Sequence, residues 1–205
     1  MCESPITESD ILLNLKMLKN GKSPGTDGLP PEFYKFFWID IKHLVTDSLN
    51  YAFTKGEMSI EQKRGILTLL PKKDKNRLYL KNWRPISLLN TDYKLLAKIL
   101  GSRLQKVLPY LIHEDQTGYI QGRYIGTNIR LIEDIISFTE LTHTPGIIMA
   151  VDFEKAFDSV MWDYIDKALE AFNFGEFFRR WVQIMYTNIE TCVVSNGHIS
   201  EWSYK

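Results

Sequence analysis

The sequence predicts a helix-rich α+β protein, and three observations lead to that class. Apolar residues recur at helical spacing through most of the 205 residues. Two short β-capable runs, Ile66–Leu70 and Gly146–Val151, interrupt that spacing. Near the end, two further β-capable runs flank Asn196-Gly197, the dipeptide that tight hairpin turns favour. A chain of this length that is 44% apolar can bury a core and makes one or two domains.

Taken in order, Thr7 with Asp10 forms a capping-box start, Ile11, Leu12, Leu15 and Leu18 form one helical face, and Gly21 ends it. Lys22 to Pro30 is a turn region rich in Ser, Gly and Pro. Pro31 then opens a helical stretch to about Lys55, closed by Gly56, with Phe33, Phe36, Phe37, Ile41, Leu44 and Val45 as its core stripe. Ile66–Leu70 is a strand that stops at a proline, and Lys72–Lys81 is a loop or hairpin tip. Between Thr91 and Leu111 the stripe is Leu95, Leu96, Ile99, Leu100, Leu104, Val107 and Leu108, with Lys94, Lys98, Arg103 and Lys106 mostly off it. Further helices are expected over Thr127–Thr142, Trp162–Phe172 and Glu176–Thr187. Gly146–Val151 reads as a buried strand, and Thr191–Ser195 with His198–Tyr204 as a hairpin. There are no repeats or low-complexity tracts, and the one seam falls near Leu141–Pro145.

Net charge is zero and the pI is about 6.9, which hides a segregation. Residues 63 to 106 hold twelve Lys and Arg against Asp74 and Asp92, a balance of +10, and the remainder carries −10. A block this basic either tracks a phosphate backbone or is a solvated charged face. Cys2 and Cys192 are too few and too far apart for a disulfide framework or a metal cluster, which suits a reducing compartment. No signal segment opens the chain and no apolar run reaches spanning length, so an intracellular protein of the cytoplasm or nucleus is expected.

The chemistry centres on Met149-Ala150-Val151-Asp152-Phe153-Glu154-Lys155-Ala156-Phe157-Asp158. An apolar run delivers the Asp152 carboxylate at its end, where an ionised group needs a cation or a metal unless it caps a turn. Enzymes of two-metal phosphoryl transfer place carboxylates this way. Four other blocks precede it: Lys22-Ser23-Pro24-Gly25-Thr26-Asp27-Gly28-Leu29-Pro30, Leu69-Leu70-Pro71-Lys72-Lys73, Asn82-Trp83-Arg84-Pro85-Ile86-Ser87-Leu88-Leu89-Asn90, and Gln116-Thr117-Gly118-Tyr119-Ile120-Gln121-Gly122-Arg123. In this order and spacing, from about Ile6 to Trp202, the chain resembles the reverse transcriptase of non-LTR retrotransposons, the long-interspersed-element type of RNA-directed DNA polymerase.

That resemblance implies the fingers of a right-hand polymerase over residues 1–143, with a basic template- and nucleotide-binding surface, and the first part of the palm over 144–205. It makes Asp152 the first catalytic, metal-binding aspartate, with the Phe153 carbonyl as a second ligand for Mg²⁺ or Mn²⁺. Lys72, less surely Lys73, and Arg84 would contact the phosphates of an incoming dNTP. Phe157 would crowd the sugar 2′ position beside Phe153. Gln116, Gly118, Tyr119, Gly122, Arg123 and Lys98 would lie along the RNA template and DNA primer. Each has a plainer alternative: solvated lysines, an ion-paired Arg84, a core Phe157, and a glycine-rich turn for the Gln116 block. Asp158 is expected to cap a helix.

The family's second metal motif is an Asp-Asp pair, and none occurs in this sequence. The glycine-glutamine block before it, the rest of the palm and the thumb are also missing from these residues. The expectation is therefore a reverse-transcriptase fragment that is inactive alone, no protein partner being implied. The alternatives are a non-catalytic nucleic-acid-binding remnant and a translated fragment without function.

Overall fold

The computed structural model describes residues 2–153, 155–195 and 197–204. They pack into two compact units, one built from residues 1–102 together with 173–205 and the other from 103–172. The expected seam near Leu141–Pro145 follows a change in sequence character, whereas packing divides the chain after Ser102 and after Phe172.

In the first unit, α1 (Glu8–Met17) starts at the capping box: the Asp10 N–H donates to Thr7 Oγ1 and the Thr7 N–H to the Asp10 carboxylate. It ends at Leu18, before Gly21. The expected single helix after Pro31 is two helices, α2 (Pro31–Phe36) and α3 (Trp38–Lys55), broken at Phe37. The break resets the helical phase. The buried stripe of α3 is Trp38, Leu49 and Ala52, with Ile41 and Val45 half-buried, while Phe36, Phe37 and Leu44 are exposed rather than core. Gly56 closes α3 in the left-handed region at φ +83°, as expected.

A short α4 (Ile60–Lys63) leads into β1 (Gly65–Pro71), which turns back as β2 (Trp83–Leu89) in an antiparallel ladder from Gly65↔Leu89 to Pro71↔Trp83. α5 (Thr91–Gln105) buries Leu95, Leu96, Ile99 and Leu100, as its spacing predicts. The chain re-enters this unit at α9 (Glu176–Tyr186), whose Phe178, Trp181 and Ile184 are fully buried. The first turn of α9 is capped from far away: the Phe177 and Phe178 N–H groups donate to the Glu3 carboxylate. β3 (Glu190–Ser195) then pairs parallel with β1 (Ile66↔Cys192) and antiparallel with β4 (His198–Ile199) and β5 (Ser203–Tyr204). The expected hairpin forms between Ser195 and His198. Asn196 of its turn lies outside the described residues, and Gly197 takes φ +80°. Both cysteines are buried.

Where β1 meets β3, Arg64 Nε donates to Glu190 at 2.9 Å, and the guanidinium lies 4.7 Å from the Trp202 ring. The hydrogen bond from Arg64 holds the Glu190 carboxyl below the usual carboxylate range, and its bond with Glu190 raises the Tyr204 phenol. A lowered folded pKa means the unfolded chain takes up a proton first, so this stabilisation exists at neutral pH and is lost as pH falls through the folded value. The unfolding midpoint of the first unit should therefore drop as pH falls below the ordinary glutamate value of 4.5. Glu190→Gln should lower the midpoint at pH 7 and flatten the acid limb. Urea melts across pH check this, and an acid limb unchanged by the substitution would count against it.

The second unit holds α6 (Leu108–Leu111), α7 (Gly126–Thr142) and α8 (Trp162–Ala171). α7 and α8 fall where periodicity places them. The stripe expected to run from Thr91 to Leu111 is instead broken after Gln105, and α6 is a separate short helix with Pro109, which has no N–H to continue the earlier one, in its first turn. The expected strand over Gly146–Val151 does not form: the segment is irregular, and Ile147 is 96% exposed. Its composition favours a strand, but a strand needs a neighbour to take its N–H and C=O groups, and among the described residues no strand pairs with it. Asp158 also does not cap a helix. It lies in a turn closed by the Ser159 N–H on the Lys155 carbonyl, and α8 begins after Met161.

Candidate functional site

The basic block resolves into two populations. Lys63 is buried and faces Glu57 at 3.6 Å, Arg64 is held by Glu190 and Glu61, and Arg103 is buried. The remaining concentration sits on the β1–β2 hairpin, where Lys72, Lys73, Lys75, Arg77, Lys81 and Arg84 accompany the single acid Asp74. The ladder continues past β1 through the Lys72 N–H, which donates to the Asn82 carbonyl at 2.8 Å. Lys72 therefore opposes Asn82, and Leu70 opposes Arg84. Because side chains alternate along a strand, Lys72 and Arg84 project from one face as diagonal neighbours. Arg84 is exposed, and Lys72 Nζ donates to the Lys81 carbonyl at 2.9 Å, which draws it toward the base of the tip. Lys73 is exposed, and Lys98 is half-buried on α5.

The tip itself is ordered by its own hydrogen bonds. Asn76 Oδ1 accepts from the Leu78 N–H, Asn82 Nδ2 donates to the Asn76 carbonyl, and Trp83 Nε1 donates to the Arg77 carbonyl.

The same unit carries a clamp between the Lys22–Pro30 turn and the start of α5. Asn90 Oδ1 accepts from Thr26 Oγ1 and the Asp27 N–H, Thr91 Oγ1 donates to the Leu29 carbonyl, and Lys94 Nζ donates to the Ser23 carbonyl. Burial pushes the Asp92 carboxyl up and the Lys94 ammonium down. Gly25 lies against Asn90 so closely that a Cβ would sit 2.4 Å from its backbone nitrogen. Sequence reasoning assigned Asn90 no role, although it ends the block that contains Arg84. Only the long-range contact reveals it.

In the second unit, Arg123 spends its guanidinium on the main chain, donating to the carbonyls of Pro109, Ile112, His113 and Gln116. It thus shapes the loop that carries Gln116, Gly118 and Tyr119. Gln116 Nε2 donates to the Gly118 carbonyl, Gly122 takes φ +85°, and Tyr119 takes φ +62° with its ring exposed. The Tyr119 ring meets Phe157 edge-to-face at 5.7 Å, so two residues singled out in separate blocks are neighbours.

Asp152 and Phe153 lie side by side in the irregular segment, and both are exposed. A two-metal centre needs several converging carboxylates, and among the described residues no group of three or more His, Cys, Asp or Glu side chains gathers. One carboxylate and one carbonyl do not fill such a centre. No helix among the described residues is long and apolar enough to cross a membrane.

The sequence profile of the family described as reverse transcriptase (RNA-dependent DNA polymerase) matches residues 70–204. The chain is similar to the Transposon TX1 uncharacterized 149 kDa protein of Xenopus laevis, 42% identical over 198 residues, which is 97% of this chain and 15% of that protein. It is similar to the putative 115 kDa protein in type-1 retrotransposable element R1DM of Drosophila melanogaster, 30% identical over 71% of this chain and 14% of the relative. A third relative is the retrovirus-related Pol polyprotein from type-1 retrotransposable element R2 of Popillia japonica, 29% identical over 84% of this chain and 23% of the relative. The chain thus spans less than a quarter of each of these proteins.

Proposed function

Because the chain belongs to the reverse transcriptase (RNA-dependent DNA polymerase) family, of the non-LTR retrotransposon type, we propose that it carries the fingers and the first part of the palm of such an enzyme. Its part in RNA-templated DNA synthesis is to hold nucleic acid and the incoming dNTP, in the cytoplasm or nucleus. The observation that carries this is the hairpin register, which sets Lys72 and Arg84 on one face of a hairpin that bears six cations and one acid. Cations on a strand face suit a triphosphate or a phosphate backbone, because each exchanges bound counterions for phosphate oxygens.

In this reading Lys72, Lys73 and Arg84 neutralise phosphates, and Lys98 supports the template side. Asp152 with the Phe153 carbonyl contributes one share of a divalent-ion site, Mg²⁺ or Mn²⁺, to which further carboxylates must be added for catalysis. Phe157, packed edge-to-face with Tyr119, faces the sugar, while Gln116, Gly118 and Gly122 let the strand approach a loop that Arg123 keeps in shape. By itself the chain binds and does not extend: among the described residues Asp152 belongs to no group of three or more possible metal-ligating side chains.

The test is anisotropy of a labelled RNA–DNA template–primer against salt. Binding should weaken steeply with salt, and neutralising Lys72, Lys73 and Arg84 to Gln should reduce the log–log slope by about 2–3. Asp152→Ala should leave affinity unchanged. Salt-independent binding, or a slope unmoved by the triple variant, would sink the assignment. Primer extension by this chain with Mg²⁺, abolished by Asp152→Ala, would overturn the binding-only part.

A further inference from the structure

The hairpin tip presents a feature that phosphate neutralisation does not use. Leu78, Tyr79 and Leu80 are 89%, 57% and 73% exposed, three large apolar side chains in a row at the end of a basic ladder. Solvent-facing apolar groups in an ordered turn keep an unfavourable contact with water that a partner would relieve. The order here is specific: Asn76, Asn82 and Trp83 hydrogen-bond the tip backbone, and residues 80–82 form a 3-10 turn. The Lys81 ammonium lies 5.7 Å from the Tyr79 ring centroid, and Lys75 and Arg77 flank the same turn. An aromatic ring set among cations on a rigid turn has the chemistry of a single-strand binding surface, in which the ring takes a base face and the cations take the phosphates. A duplex hides its base faces by stacking, so only an unpaired strand uses the ring.

We propose that residues 76–82 form a stacking platform for an unpaired nucleic-acid strand, with Tyr79 receiving a base and Lys75, Arg77 and Lys81 contacting the flanking phosphates. The proposal rests on the reading of the hairpin as a nucleic-acid surface and adds the strand state that its tip selects. Its charge supports this occupant: the tip from Lys75 to Lys81 carries three cations and no acid.

The experiment compares binding of the full chain to a fluorescein-labelled oligouridine and to a blunt duplex of equal length, at two salt concentrations. Tyr79→Ala should weaken oligouridine binding about tenfold, with duplex binding changed less than about twofold and the salt slope preserved, since stacking displaces no counterions. Tyr79→Trp should restore single-strand affinity. Circular dichroism of each variant should match the parent, because the ring is exposed. Oligouridine affinity kept within about twofold by Tyr79→Ala would overturn the platform while leaving the basic hairpin standing. Failure of the parent chain to bind either nucleic acid would overturn both readings together. Equal losses on strand and duplex would also overturn it, as would a Tyr79-dependent association with phosphatidylserine vesicles in place of the strand.

Discussion

Gly25→Ala is expected to destabilise the first unit by about 2–3 kcal/mol, as forced overpacking of a close contact does. A methyl there would sit 2.0 Å from Asn90 Oδ1, 2.4 Å from the Asn90 nitrogen and 2.6 Å from the Leu89 carbonyl carbon. A flexible side chain can swing away, but two of these three atoms are backbone at the junction of β2 and α5. The loop must lift instead, and the bonds from Thr26 and Asp27 to Asn90 go with it. Gly28 offers a contrast within the same turn: it has open space around it but φ +70°. Gly28→Ala should therefore cost only the left-handed strain of about 1 kcal/mol. Urea midpoints of the two variants decide the matter, and equal losses would show that the close approach to Asn90 does not hold in solution.

The second large effect is at Trp181, which is fully buried and lies tilted against the Phe53 ring with centroids 4.9 Å apart. Trp181→Ala should cost about 3–5 kcal/mol, from lost burial and the cavity left behind. Trp181→Phe should cost well under half as much. The Nε1 hydrogen of Trp181 is buried and has no hydrogen-bond partner among the described residues. An unpaired buried donor costs about 1–3 kcal/mol, and the phenyl ring removes it while keeping contact with Phe53. Far-UV circular dichroism melts in urea would read both. Comparable losses for Phe and Ala would mean that the indole nitrogen is satisfied.

Local chemistry was the legible part of this molecule. Thr7 and Asp10 announce a helix start, Gly56 a helix end, Pro71 a strand end, and the Lys72–Lys81 segment a hairpin tip, because each acts on neighbours within a few residues. What escaped was decided across the chain. The Gly146–Val151 run has strand composition, but composition cannot supply the edge that a strand must pair with. The break at Phe37 shifted the buried face of α3 onto Trp38, Leu49 and Ala52, and no proline or glycine marked it. Of the candidate site, the blocks themselves were readable, and so was the pairing of cations with a hairpin. Not readable was that Arg123 is consumed by four carbonyls, that Tyr119 meets Phe157, or that Lys63 and Arg64 leave the basic surface for structural ion pairs.

The parallel pairing of β1 with β3 has a consequence for synthesis. Its partners, Gly65 with Thr191 through Leu67 with Val193, are 126 residues apart. At roughly 5–20 residues per second, a ribosome needs on the order of 6–25 s to deliver the second partner after the first. During that interval β1 already has β2 on one side, while its other edge waits with Ile66 and Leu67 uncovered. An unpaired apolar edge is a template for intermolecular pairing. Slowing translation between codons 67 and 193 should therefore raise the aggregated fraction, whereas slowing it before codon 65, when neither partner exists, should not.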